Sequence, residues 1–422
     1  MAACGGPFAL YRRPAIKTSS LNSPAPLRLN RNMRPIGLAV LLFGIAWTAV
    51  WPAPAGKEES TSGIGHVYHC EPGPWGDLEY SRVMIEPPEE FLASDYVSPP
   101  TRWNFSGFDD ARLEQLWQQA GLNDRQLRAV RDPARREVTA AGIVIKPDDE
   151  LVRHLSPESR ATIYNVLAQL PDNLIQSEPF RFRAEMVDEW FANSAVNPEV
   201  VAQIRSLLYR RGSALLFSDP RLILSSLPAA ADRVHLVKTL SRKSTLLVKI
   251  RVQPDSDIES IANYWSTGRR RKDVRPLLYS LARHQGGMTI DLAHLLPRLP
   301  RGLLYTYPSP EVPRERSPDC HWTTMNFFND APDERFNDID YLKVVLLRDY
   351  VEVQDSPGMG DVIVLSRPDG TVVHSCVYIA ADIVFTKNGQ SHTVPWTLST
   401  LPDLQAFYPA NAPLQVRFFR HK

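Results

Sequence analysis

From Asp109 onward, apolar residues recur at helical spacing through Asp109–Gly121, Asp124–Val130, Pro157–Leu170, Ala184–Ala192 and Pro198–Arg211, which predicts a run of short amphipathic helices. Ser156-Pro157-Glu158 supports the third of these, with a capping hydroxyl ahead of Pro at the first helical position. Leu246–Val252 predicts a strand, Asp257–Trp265 and Asp273–Arg283 two more helices, and the Pro-rich stretch Leu296–Pro313 a linker. Residues 56–108 hold Gly, Pro, Ser and aromatics without helical spacing and predict an extended arm lying on the body.

Beyond a boundary near residue 310 the pattern changes to helix followed by short strands. Pro318–Phe328 and Ile339–Arg348 predict helices; Tyr350–Gln354, Val362–Ser366, Thr371–Ile379, Ile383–Thr386 and His392–Val394 predict strands. Arg367-Pro368-Asp369-Gly370 has tight-turn chemistry, Pro fixing one φ and Gly supplying a positive one. Asn388-Gly389 is the pair favoured where a hairpin needs two left-handed residues. A helix packed on a small antiparallel sheet follows, so the chain is expected to be α+β, with a predominantly helical region at 109–310 and a second unit at 311–422.

The chain has 422 residues, enough for two or three compact units, and 43 % apolar residues rule out a largely disordered polymer. Its 36 prolines break it into short elements and exclude a long coiled coil. Net charge is +1, but residues 1–55 carry six basic side chains and no acid, so removing those six leaves the rest at −5. A mildly acidic body argues against a general nucleic-acid binder. Met33-Arg34, the apolar run Gly37–Trp51 and the small-x-small Ala53-Pro54-Ala55 form a secretory-signal pattern, with cleavage after Ala55; an uncleaved signal-anchor is the alternative, and Met33 competes with Met1 as the first residue. The protein is therefore expected to be exported, to the periplasm, the cell envelope or the medium. Only Cys70, Cys320 and Cys376 follow that segment, and an odd number leaves at least one thiol unpaired within the chain.

Ser317-Pro318-Asp319-Cys320 places a cysteine in the first turn of a predicted helix, with Ser317 as cap, where unpaired amides and the helix dipole stabilise a thiolate. The competing reading is a small buried core residue. On the strand Thr371–Ile379, alternation puts Val372, His374, Cys376 and Tyr378 on one face. His374 is then either a satisfied core histidine or a working base. Cys376, about 7 Å further along the strand, is a second thiol, a disulfide partner for Cys320 or filler.

These residues resemble the NlpC/P60 superfamily of papain-like cysteine peptidases and amidases. The pieces are Asp319-Cys320 opening a helix, Gly360-Asp361-Val362-Ile363-Val364-Leu365, and His374-Ser375-Cys376-Val377-Tyr378-Ile379, over roughly residues 315–410. The resemblance implies a papain-like domain at 311–422 in which Cys320 attacks an amide carbonyl, His374 relays the proton and a third polar residue orients the imidazole. It also implies peptidoglycan peptides or another amide as substrate, with no cofactor. Two departures stand out. His321-Trp322 follows the cysteine where the family has Ser-Gly, and the family spacing for the third residue lands on Thr386, a poor orienter by chemistry, which leaves Asn388 as the preferred candidate and His392 as another. The alternative is a catalytically inactive domain of the same family that binds the wall or a partner.

Other signals add less. His66-x-x-His69-Cys70 has metal-ligand residue types but loose spacing and no second cluster, so no metal is expected. The run Gly268-Arg269-Arg270-Arg271-Lys272 is either a solvated loop or a contact for a membrane surface or an anionic wall polymer. There is no Gly-x-Ser-x-Gly elbow and no phosphate-binding Gly-rich loop.

Overall fold

The computed structural model describes residues 65–422 apart from 93–99, 213, 268–269, 314–315 and 409–412. The expected leader and cleavage site after Ala55 lie outside the described residues. Among the described residues no helix is long and apolar enough to cross a membrane.

The chain is mixed α and β with antiparallel sheets. β1 (Val67–His69) and β2 (Asp77–Ile85) come first. β3 (Trp103–Ser106), β4 (Arg136–Thr139) and β5 (Gly142–Ile145) make one three-stranded sheet; β6 (Phe180–Arg183), β7 (Tyr209–Arg211) and β8 (Ala214–Phe217) make another. β9 (Lys243–Val252) and β10 (Met288–Asp291) join the first two strands in a four-stranded sheet of order β1-β2-β9-β10. The stretch expected to be an arm therefore holds a long strand, β2, paired with β9 over its full length.

The helical spacing is realised as Asp110–Gln119, Asp124–Arg131, Pro157–Leu167, Val187–Phe191 and Pro198–Ser206. Ser156 caps the third of these as its sequence predicts, accepting from Ser159 N at 3.0 Å. The fifth stops short of Arg211, because Tyr209–Arg211 pairs with β8; burying Tyr209 in that ladder outweighs its helical spacing. Within the expected linker, Arg298–Leu303 is a helix, whose prolines at 297 and 300 fall at its start, where no intrahelical N–H is needed.

β11 (Tyr350–Glu352), β12 (Val362–Ser366), β13 (Val372–Ala380), β14 (Ile383–Lys387), β15 (Trp396–Thr400) and β16 (Gln415–His421) form a six-stranded sheet of order β11-β16-β12-β13-β14-β15. Gly370, at φ +84°, closes the turn between β12 and β13 as its tetrapeptide predicts. Two expectations are corrected. Residues 392–394 are turn and not strand, the ladder falling to Trp396–Thr400. Asn388-Gly389 is not a two-residue hairpin: Gly389 alone has positive φ, and Asn388–Pro395 makes a longer connection.

The two faces of this sheet bury different neighbours. On one, Val362, Val364, Val377, Ile379 and Phe385 pack with Trp322 and Met325 of the cysteine helix (Cys320–Met325) and share a core with Leu78, Val248 and Trp265, so this core runs across position 310. On the other, Ile363, Leu365, Cys376 and Val384 pack with Leu404 of the Leu401–Phe407 helix. Burying side chains such as Ile379 or Phe385 contributes about 1.5–3 kcal/mol each. Thr245 of β9 ties the sheets together, donating to Leu398 O and accepting from Leu398 N, both at 3.1 Å.

The N-terminal region has its own apolar core, within which Arg160 is fully buried. Its guanidinium donates to Asp219 (2.8 Å) and to Val152 O (2.8 Å), while Tyr164 donates to the other Asp219 oxygen at 2.7 Å. Removing one partner of such a pair leaves a stranded charge, so Asp219→Ala is expected to cost about 3–5 kcal/mol. Urea unfolding measures this; a loss below about 1 kcal/mol, the range of an exposed pair, would show that the pair holds nothing together.

Candidate functional site

The cysteine helix begins two residues later than the sequence suggests. Asp319, not Ser317, is the N-cap, accepting from Trp322 N at 2.8 Å, and Cys320 is the first helical residue. Ser317 is fully buried and its hydroxyl caps nothing. An ionised Asp beats a Ser at this position because it also meets the positive end of the helix.

Backbone N–H groups of Ser375, His321 and Cys320 itself point at the Cys320 sulfur and favour its thiolate. They are outweighed. Burial, and then the Asp319 charge, push the thiol up to about 12, so Cys320 is a neutral thiol at physiological pH. Cys70, Cys320 and Cys376 are all free thiols, so the disulfide alternative for Cys376 is not realised. Cys376 is fully buried with its thiol raised, by burial and then by Cys320, and it fills the core as a small hydrophobe.

His374 lies on the other face of β13. Alternation sends Ser375 toward the cysteine helix, where its hydroxyl meets His321 Nδ1 (2.8 Å) and donates to Thr324 (3.2 Å). His374 therefore points toward the Leu401–Phe407 helix, and both ring nitrogens are taken: Nε2 by Thr386 Oγ1 at 2.8 Å and Nδ1 by the Tyr408 hydroxyl at 2.8 Å. Thr386 donates its own proton to Asn388 Oδ1 at 3.1 Å. Nε2 must then carry the imidazole proton, and the Nδ1 lone pair accepts from Tyr408 O–H. This chain, Tyr408 to His374 to Thr386 to Asn388, satisfies the ring completely, and no hydrogen bond joins it to Cys320. Burial, with the nearby His321 charge second, depresses His374 to about 3.

No family model, curated protein or solved structure matches the chain.

The structure thus brings His374 together with Thr386, the residue dismissed on chemistry although family spacing pointed to it, and places Asn388 one link further out. His392 is buried in the turn before β15 and makes no bond to the imidazole, whose two nitrogens are occupied. Gly360 and Asp361 have structural duties. Gly360 sits at φ +94° with the Phe328 ring where a Cβ would be, and Asp361 accepts from Arg420 (2.6 and 2.9 Å) and from Gly358 N (2.8 Å), fixing β16 beside β12.

Two residues were missed. Lys387 is fully buried, its ammonium donating to the carbonyls of Gly389 and Ser391 and lying 5.7 Å from the Trp396 ring. Burial pulls it down to about 7, against the opposing charge of Asp319. Its signal was readable: Ile383, Phe385 and Lys387 alternate on one face of β14, with a lysine where an apolar residue belongs. Tyr408 gave no signal, since its contact with His374 spans 34 residues.

Among the described residues no group of three or more His, Cys, Asp or Glu side chains is placed to hold a metal ion. Of the basic run, Arg270 donates to Leu295 O at 2.7 Å and to Trp265 O at 2.8 Å, and Arg271 pairs with Glu259 at 3.2 Å.

Because His374 binds its proton at about pH 3 when folded but near 6.5 in its ordinary state, unfolding takes up a proton between those values. Stability is predicted to fall as pH drops through that window, by up to about 1.4 kcal/mol per unit from this group. Urea midpoints at pH 7, 5 and 4 for wild type and His374→Gln check this: the variant should lose clearly less stability on acidification, and parallel losses would refute the buried neutral imidazole.

Proposed function

We propose that residues 311–422 are an NlpC/P60-like, papain-like module that works by binding rather than hydrolysis, in an exported protein that engages cell-wall peptides or a wall-associated partner. The observation that carries this is the Tyr408 hydroxyl on His374 Nδ1. That lone pair is the only basic site on the ring once Nε2 holds the proton, and a thiol nucleophile needs it. The sulfur is also held neutral well above physiological pH. The resemblance in Asp319-Cys320, Gly360-Asp361 and His374 supports the family, the leader pattern supports export, and His321-Trp322 in place of Ser-Gly fits a domain that has kept the fold without the chemistry.

A thiol hydrolase of amide bonds, with Cys320 as nucleophile and His374 as base, is the second reading. It is favoured by the three amide N–H groups aimed at the sulfur, an arrangement that would also receive an oxyanion.

One experiment separates them. Purified peptidoglycan is incubated with the wild-type protein and with Cys320→Ala under reducing conditions, with pull-down and release of amines both measured. The binding reading predicts equal retention by both proteins and no new amines. Amines released by wild type but not by Cys320→Ala would overturn it in favour of hydrolysis. In parallel, a thiol probe at mildly acidic pH is predicted to label native Cys320 no faster than Cys70, since both thiols are pushed up to about 12; selective labelling of Cys320 counts for the hydrolase.

A further inference from the structure

At the β15 edge of the sheet, β6, β9, β15 and the Leu401–Phe407 helix line a cavity of about 120 Å³. Four cations line it, Arg82, Arg181, Arg183 and Lys243, against two carboxylates, Glu185 and Asp403. The carboxylates are already engaged. Asp403 bridges Arg82 and Arg183, and Glu185 takes the rest of Arg183, at 2.8 Å from Nε.

Arg181 and Lys243 are left over. Arg181 donates to Phe407 O at 3.0 Å and stands 5.1 Å from the Phe407 ring, and no carboxylate among the described residues lies within ion-pair distance of it. Lys243 likewise has no acidic partner among the described residues. Burial, then the charge of Arg181, lowers it to about 8. Two cations that repel each other in a secluded cavity are costly unless an anion joins them.

We propose that this cavity binds a small anionic group, a carboxylate or a phosphate, held between the Arg181 guanidinium and the Lys243 ammonium. Thr397, which also lines it, offers a hydroxyl donor. The volume is close to that of the ~150 Å³ engineered cavity that holds benzene, so the occupant is a single acidic group or side chain and not a polymer. Asn388 reaches the same cavity while accepting from Thr386, so the occupant touches the end of the chain that runs to His374. This inference gives the binding reading its ligand chemistry and rests on it for biological meaning, although anion binding is measured independently of peptidoglycan.

The test is titration calorimetry on the full chain with inorganic phosphate, glutarate and neutral glycerol at constant ionic strength. Saturable binding of phosphate or glutarate but not glycerol is expected, and the better of the two identifies the acid. Arg181→Gln and Lys243→Gln should each weaken it by about tenfold or more, and Lys243→Arg should retain it. Thr397→Asp, which tethers a carboxylate inside the cavity, should raise the melting temperature and abolish anion binding, and it tests the site even where a charge-removing variant fails to fold. Absence of saturable binding by both anions, or unchanged affinity in folded Arg181→Gln and Lys243→Gln, overturns the proposal. Peptidoglycan retention in the same preparations tells that failure apart from failure of the binding reading.

Discussion

The period-two alternation of β13 governs everything found at the candidate site. Ser375, Val377 and Ile379 face the cysteine helix, so His374, Cys376 and Tyr378 must face away from it. A slip of one residue would exchange the two sets, but it would also push Val377 and Ile379 out of a core shared with Trp322 and Met325. The register is therefore set by apolar burial, and the imidazole goes where the register sends it. The hydroxyls of Thr386 and Tyr408 then make its position affordable.

Desolvation is the dominant electrostatic force at this site. Cys320, His374 and Lys387 are all moved toward their neutral forms by burial, which in each case is the largest cause. Three backbone N–H groups and a helix start cannot rescue a thiolate under those conditions, and the helix is only six residues long, too short to build a full dipole. Cations without a carboxylate partner among the described residues are found instead at the cavity that Arg181 and Lys243 line.

Features that depend on neighbours in sequence were legible in advance. Ser156 ahead of Pro157 caps its helix, Gly370 closes its turn, and the apolar spacing of Asp124–Arg131 and Ile339–Asp349 becomes helix. Local rules also failed where a neighbour in sequence offered a competing partner. Tyr209 left a helical pattern to pair with β8, and Asn388 left an ideal hairpin turn to accept from Thr386. At the cysteine helix Ser317 and Asp319 both had capping chemistry, and the charged one prevailed.

The sequence by itself determined the mixed α and β character, most of the strands of the C-terminal sheet and the faces of β13, because each follows from period or turn chemistry along one chain. Only the tertiary structure decided which face of the sheet the cysteine helix would cover, that Tyr408 would take the imidazole lone pair, and that Arg181 and Lys243 would share a cavity. Those outcomes depend on how elements far apart in sequence compete to bury apolar surface, and no local pattern encodes the winner.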